Sequence, residues 1–519
     1  MKSLLALCIF TSLPHVSLST TGFLKKRLPK STASPTIVNL EELRAEEVRD
    51  AIRHLWAGYK EVGWGADVVG PISGAGRDIY GRVGMFIIDT LDTLWLAGLH
   101  NEFAEGEKWV SELRLDIQNH SARSSFFEMT IRGLGGLLSA YALSGHHVFL
   151  EKAALLGDRL LQAFPKPGSS HLWPAAAIDV HNVSDVEVVH TWNPTTSFLA
   201  EAGSNVLEFD YLSDATANQQ YQLAAESVLN RLVKLSNSEK ETLAPLELDP
   251  YSLTFRGEKV SVGAAGDSYY EYLLKRYLQS GCTEQQLLST WKDAMRAMRA
   301  ALLGQSADGL TYIKSEATRE APGVYGSHHV LDRMEHLACF VGGMLAIASH
   351  YVPTEEVEDW WLPTGIEITR TCFEMYKQSS TGLAPETVYF EKASMHGPDQ
   401  HYMRGSDRHY RLRPETLESL FYLHRITGNT TYREWSWTIF QAINNKTKTK
   451  YGFAEVYDVL EVAEHASQNL EDSEETWMGA ETLKYALLTQ LPTTALPLEK
   501  FVFNTEAHPL PSVGKCIQT

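Results

Sequence analysis

Three acids stand at the head of apolar, helix-periodic runs: Glu128 in EMTIRGLGGLLSAYALSG, Asp267 in DSYYEYLLKRYLQSG and Glu415 in ETLESLFYLHRITGN. Hydrolysis of a glycosidic bond needs two carboxyls, one protonating the leaving oxygen and one activating water or attacking carbon. Each acid also has an ordinary reading. Glu128 and Arg132 lie one turn apart and could form a surface ion pair. However, Phe126, Phe127, Met129, Ile131 and Leu134 leave little solvated face there, so the pair is either structural or part of a polar cavity. Asp267 could serve as a helix N-cap. Glu415 follows Pro414, a helix-opening residue, and the helix dipole favours an acid in the first turn. Glu418 is three residues further on the same face, with Arg413 nearby. The joint pattern is stronger than any one member, because independent caps would more often be Ser or Thr.

The elements carrying these acids repeat. Looser copies open at Glu201 (EAGSNVLEFDYLSDATAN) and His336 (HLACFVGGMLAIASHY), and weaker ones at Asp92 and Glu481. The spacing is roughly 65–75 residues, which marks a repeat architecture. His336 alone would read as a satisfied core histidine. Helical hairpins repeated in this way bury each other's apolar faces. If the array closes into a ring, each first helix becomes inner wall and the leading acids crowd one end of one cavity.

Composition sets limits on partners. The chain has 519 residues, is 44% hydrophobic with 12 Trp and 22 Tyr, and carries a formal charge of −18. Such a charge disfavours a nucleic-acid partner. No zinc-type His or Cys spacing, phosphate loop or Gly-x-Ser-x-Gly elbow is present. Residues 1–19 read as a secretory signal or, uncleaved, an anchor. Their apolar core is about half the ~20 residues of a bilayer span, so no stable membrane span is expected. Residues 20–35 read as a flexible stem with a candidate processing site after Lys26-Arg27, and residues 36–519 as one catalytic domain. The secretory route makes Asn119, Asn182, Asn429 and Asn445 glycosylation sites. It also makes disulfides expected among Cys282, Cys339, Cys372 and Cys516. Cys339 lies on an inner-type helix and Cys372 on the following outer-type one, which favours that pair; Cys282 and Cys516 either pair or stay free. The apolar, Pro-limited tail 497–513 is expected to be extended, with Phe501-Val502-Phe503 entering the core.

The motifs DTLDTLWLAGL, FFEMTIRGLGGLLSAY, GDSYYEYLLK, HLACFVGGM, GLAPE, RPETLESLFYLHRITG, ETLKYALL and FNTEAHP, in this order, resemble the class I α-1,2-mannosidases of glycoside hydrolase family 47. The resemblance implies an all-α (α/α)7 toroid closed by a C-terminal plug, with small β-hairpins in its loops. It implies inverting removal of terminal α-1,2-linked mannose from high-mannose N-glycans, with one bound Ca²⁺. By motif, Glu128 matches the general acid and Glu415 the general base. Asp267 matches a third catalytic carboxyl whose share of the work the family pattern leaves open. Arg132, Glu201, His336, Arg413, Glu418 and Glu481 match residues lining the sugar subsite. Trp477 stands where the family has a ring-stacking Phe. Thr505 matches the Ca²⁺ ligand, with Glu506 supporting it through water. Asp89 and Asp92 read as helix capping and packing. Ala265 stands where an Arg accompanies removal of one particular mannose, so a broader trimming range, from Man₉ to about Man₅, is expected.

Two other classes share parts of this pattern: mannosidase-like lectins of the same fold, which generally lack the Cys339/Cys372 pair, and a noncatalytic helical-repeat interaction module, which the acids argue against. The expected setting is the ER or Golgi lumen or the extracellular space, as a monomer.

Overall fold

The spacing of apolar residues explains why the helices alternate between two kinds. The computed structural model describes residues 39–116, 123–238, 242–321, 323–326, 332–390, 408–461 and 466–512. The signal, the stem, Asn119 and Cys516 lie outside them. From Leu40 onward the chain forms one unit. Its helices are α1 (Leu40–Val62), α2 (Met85–Leu96), α3 (His100–Glu112), α4 (Phe126–Glu128), α5 (Gly135–Ser144) and α6 (His147–Leu160). They continue as α7 (Leu199–Gly203), α8 (Val206–Thr216), α9 (Gln220–Ser236), α10 (Asp267–Gln279) and α11 (Gln285–Ala301). The last are α12 (Phe340–Tyr351), α13 (Trp361–Lys377), α14 (Glu415–Thr427), α15 (Thr430–Lys446) and α16 (Leu483–Gln490).

Among the described residues, α2, α5, α8, α10, α12, α14 and α16 pack side by side in that order, and α16 returns to α2. The repeat therefore closes into a ring of seven inner helices. Outside them α3, α6, α9, α11, α13 and α15 each cover their own pair member, and α1 covers α16. The difference in burial is that of two layers. Inner α10 is buried from Ser268 through Gln279, whereas outer α11 buries one stripe that includes Leu287, Leu288, Trp291, Met295 and Met298. A helix buried all round belongs inside and an amphipathic one at the surface.

Inner-to-outer turns are short. That after α14 ends at Gly428 in the left-handed region (φ 68°), whose N–H reaches the His424 carbonyl, a glycine stop to the helix. Outer-to-inner connections are long and carry two- and three-stranded sheets. All long loops thus gather at the end of the ring where the inner helices begin, which is also the acid end.

The tail enters the ring as expected, as a hairpin rather than a single extended segment. Phe501–Phe503 pairs antiparallel with Pro509–Pro511, and the two strands contact α5, α8 and α10. Fully buried Phe503 packs against Phe421, Tyr422 and Tyr485. The plug's turn carries His508, and here the expectation for Asp89 and Asp92 is corrected. Helix α2 starts at Met85 with Gly84 as its cap, so neither Asp caps it. Both are fully buried and face His508, Nε2 at 2.9 Å from Asp89 and Nδ1 at 2.7 Å from Asp92. Lys484 of α16 lies 2.8 Å from Asp92 and donates to the Ala507 carbonyl at 2.6 Å. First and last inner helices are therefore tied through the plug by one buried ionic cluster.

Cys339 and Cys372 are bonded, joining the entry to α12 with outer α13 at a Cα–Cα distance of 6.0 Å. Cys282 is also disulfide-bonded. Asn182, Asn429 and Asn445 are exposed. No helix among the described residues is long and apolar enough to cross a membrane.

Candidate active site

At the acid end of the ring opens a cavity of ≈ 530 Å³ whose lining includes Glu128, Glu201, Asp267, Glu415, Glu418, Glu481 and Glu506. Arg132, Arg413, Trp477, Thr505 and Ala265 line it as well. Leading acids of five remote repeats, Glu128, Glu201, Asp267, Glu415 and Glu481, thus share one pit, whereas Asp92 is buried beside His508 and does not line it.

The acids are not equivalent. Asp267 is the first residue of α10, capped by Gly266, and its Oδ1 accepts the Ser268 N–H at 2.8 Å. Burial first, and then Glu271, Glu415 and Glu335, push its carboxyl up to about 7. Glu415 opens α14 behind Pro414. Burial opposes its charge, but the hydrogen bond from His336 and the Arg413 guanidinium outweigh it and hold its carboxyl below the ordinary value. Two half-buried carboxyls in one pit, one favouring its proton and one its charge, form a ready acid and base.

His336 does not itself line the cavity. It is buried behind Glu415, with Nδ1 2.9 Å from the carboxylate. Its Nε2 lies within 3.0 Å of the Tyr376 hydroxyl and 3.1 Å of Thr416. Those hydroxyls can satisfy Nε2 while Nδ1–H donates to Glu415, so this histidine orients the Glu415 carboxylate.

Glu128 and Arg132 form their ion pair (2.6 Å) at the cavity rather than on a solvated surface. Arg132 also bonds Glu506 and reaches the Thr476 hydroxyl at 3.3 Å. Arg132 lies in the π-helical segment Met129–Leu134 and Glu481 in a second one, Met478–Thr482. Such bulges turn side chains off the regular helical register and recur at functional sites.

Trp477 is held from three sides. Its indole Nε1 donates to the Arg411 carbonyl at 2.9 Å, and the Arg132 and Arg413 guanidinium groups lie 5.3 and 4.9 Å from its rings. Between Arg411 and Arg413, buried Leu412 has φ 60°, a left-handed value costly for a residue other than glycine. The Thr482 hydroxyl donates to its carbonyl at 2.6 Å. The strained turn points Arg413 into the pit just before Pro414 and Glu415.

Several participants were missed from the sequence. Glu386, in GLAPE, holds Arg413 through Nε (3.1 Å) and Nη2 (3.0 Å). On α10, Lys275 bonds Glu271 and stands 3.8 Å from Glu418. Asp267, Glu271 and Lys275 follow at intervals of four, a visible sign of one charged inner face on an otherwise buried helix.

The pit has more carboxyls than cations. Burial, reinforced by neighbouring acids, raises Glu418, Glu481 and Glu506 above the ordinary range. Among the described residues no cluster of three or more His, Cys, Asp or Glu forms a self-sufficient metal site. Surplus buried carboxylate beside the Thr505 hydroxyl nevertheless suits a hard, oxygen-seeking cation whose shell is completed by water or sugar.

A ring of helices ending in an acid-rich pit, with an arginine-clamped tryptophan at its wall, is the equipment of a glycosidase. The chain belongs to Glycosyl hydrolase family 47, whose sequence model matches residues 51–512. It is 37% identical over 492 residues to the endoplasmic reticulum mannosyl-oligosaccharide 1,2-alpha-mannosidase of Homo sapiens, covering 94% of this chain and 66% of that protein. It is also 37% identical over 530 residues to the mannosyl-oligosaccharide 1,2-alpha-mannosidase MNS3 of Arabidopsis thaliana, covering 93% and 81%. The alpha-1,2-mannosidase from Trichoderma reesei superposes with a TM-score of 0.79 at 25% identity, covering 91% of this chain and 99% of that one.

Proposed function

We propose that this chain is a mannosyl-oligosaccharide 1,2-α-mannosidase that removes terminal α-1,2-linked mannose from high-mannose N-glycans with inversion, in the lumen of the secretory pathway. The observation that carries this reading is the unequal pair in one pit, an Asp267 that favours its proton and a Glu415 that favours its charge. Glu415, aimed by His336, takes a proton from the attacking water. The proton for the departing glycosidic oxygen comes from the Glu128 and Asp267 side; the high affinity of Asp267 for its proton supports it as the source. Arg132, Arg413, Glu201, Glu418 and Glu481, which line the pit, would hold sugar hydroxyls, and Trp477 would stack under the ring. Thr505, supported by Glu506 through water, would hold Ca²⁺, which supplies electrostatic anchoring of the sugar hydroxyls. Ala265, small and at φ 68° on the cavity wall, leaves room for several branches, consistent with trimming from Man₉ to about Man₅.

The test is incubation of the purified protein with a high-mannose glycan, followed by mass spectrometry for hexose loss. Time-resolved NMR on an α-1,2-mannobiose is expected to show β-mannose first. Appearance of α-mannose first overturns inversion, and glycan binding without any hexose loss moves the chain to the lectin class.

A further inference from the structure

Residues 187–198 raise a stack of rings at the edge of the pit that the cleavage chemistry does not use. Trp192 belongs to the cavity lining yet leaves 69% of its surface exposed, more than any other large apolar side chain among the described residues. Packing therefore does not account for its position. Its ring stacks on Phe198 at 5.5 Å and 20°, and on His190 at 5.0 Å and 27°. His190 in turn bonds Glu201 at 2.9 Å, which joins the stack to the wall of the pit. The segment is held in place: the Thr191 N–H donates to Glu187 at 2.7 Å and the Asn193 N–H to the His190 carbonyl at 3.0 Å. The platform is thus ordered before any ligand arrives, which lowers the entropy cost of binding.

The wall beside it is bare. The Ala200 N–H donates to the Ala265 carbonyl at 2.9 Å, so Ala264 and Ala265 adjoin the Phe198–Ala200 segment, and Phe198, Ala200, Ala264 and Ala265 all line the cavity. A flat, exposed indole next to an open, apolar wall suits a ligand with one flat C–H face and hydroxyls on its rim. A hexopyranose has that form. An anionic ligand is disfavoured, since the surface is apolar and the acids Glu187 and Glu201 lie beside it, Glu201 bonded to His190 and Glu187 to Arg123.

We propose that Trp192, backed by Phe198 and His190, forms a separate sugar subsite that holds a mannose residue of the oligosaccharide other than the one being cleaved, through the apolar face of its ring. This rests on the reading of the chain as a mannosidase. It makes Trp192 a specificity residue: its contact exists for a branched oligosaccharide and is missing for a disaccharide. Contact with a mannose remote from the scissile bond is made equally in the ground state and the transition state, so it lowers KM.

The experiment compares kcat/KM for a free high-mannose oligosaccharide with that for α-1,2-mannobiose in the wild type, Trp192→Ala and Trp192→Phe. In Trp192→Ala the oligosaccharide-to-disaccharide ratio is expected to fall about tenfold, mainly through KM, and Trp192→Phe to recover most of it. A ratio within twofold of wild type overturns the subsite. So does an equal loss on both substrates, or a loss confined to glycoprotein-borne glycan, which would assign the indole to polypeptide. Calorimetry of the oligosaccharide in a Glu415→Gln background separates this proposal from the activity. A tenfold weaker Kd on adding Trp192→Ala supports the subsite even if the wild type hydrolyses neither substrate, and an unchanged Kd removes it.

Discussion

Carboxyls of similar chemistry acquire different duties in this pit because their surroundings differ. Asp267 is crowded by other acids, whereas Glu415 accepts from His336 and lies beside Arg413. The pH dependence follows with a definite sign. The acid must carry its proton, so kcat/KM is expected to fall on the alkaline side as pH rises through about 7, the value to which Asp267 is raised. The base must be ionised, and its depressed carboxyl puts the acidic limb below the ordinary glutamate range. Asp267→Asn and Glu415→Gln should each cost on the order of a hundredfold or more in turnover. Residual Asp267→Asn activity should lose the limb near neutrality; a pH–rate profile that keeps that limb would assign it to another group. The acids were legible in the sequence because each opens an apolar run. Their partners were not, since His336 is 79 residues from Glu415 and Glu506 is 374 from Arg132. Only closure of the ring brings such pairs together, and no local spacing encodes it. Glu271 and Lys275 are the exception, being readable one and two turns along from Asp267.

At the level of elements, the helix pair is the unit, and its two members are held by packing supplemented at one point by covalent linkage. The Cys339–Cys372 bond closes a span of 33 residues around the α12–α13 pair. In the chain-entropy picture a loop of this size stabilises by about 3.7 kcal/mol. Cys339→Ala with Cys372→Ala is therefore expected to lower stability by about that amount or more, both side chains being fully buried; denaturant unfolding measures it. Non-reducing peptide mapping that recovers both cysteines as free thiols would contradict the linkage outright. This pair could be assigned from sequence because inner and outer helices differ in their apolar pattern. The two π-helical segments could not, because a bulge is one extra residue in an otherwise regular apolar period. Asp89 and Asp92 misled for a related reason. An acid near a helix start is most simply a cap, and only the return of His508 from the far end of the chain makes two buried acids mid-helix affordable.

Across the whole molecule, the plug turns a ring of hairpins into a closed vessel, and its ionic cluster links the ends of the chain. Both nitrogens of His508 face carboxylates, an arrangement that favours the doubly protonated ring. Burial disfavours that charge, but Asp92 and Asp89 outweigh it and raise His508 above its usual 6.5. Asp92 is lowered: burial opposes its charge, but Lys484 and His508 prevail. A raised histidine contributes stability that is present below about 6.5 and is lost as pH climbs through its folded value. A lowered aspartate contributes stability that is present above 3.8 and is lost as pH falls through its folded value. His508→Ala should cost about 3–5 kcal/mol, since it strands two buried carboxylates beside one lysine. The deficit relative to wild type should shrink at alkaline pH; urea unfolding at mildly acidic and alkaline pH reads both.

The same plug carries Thr505 into the pit, three residues before His508, so the proposed Ca²⁺ site would couple metal binding to closure of the fold. A ligand bound only by the closed ring stabilises it by linkage, by about 2.7 kcal/mol when its concentration is a hundred times its Kd. Ca²⁺ is therefore expected to raise the unfolding temperature as well as to sustain activity. Chelation should abolish turnover, and Ca²⁺ should restore it. Mg²⁺ should do so poorly, because it demands a tight octahedral shell and gives up water reluctantly. Thr505→Ala should lose the thermal shift without losing the fold, since the plug is anchored independently by Phe503 and His508. An unfolding temperature indifferent to Ca²⁺, together with full activity in excess chelator, would remove the ion from the mechanism while leaving the ring, the pit and its unequal acids as they are.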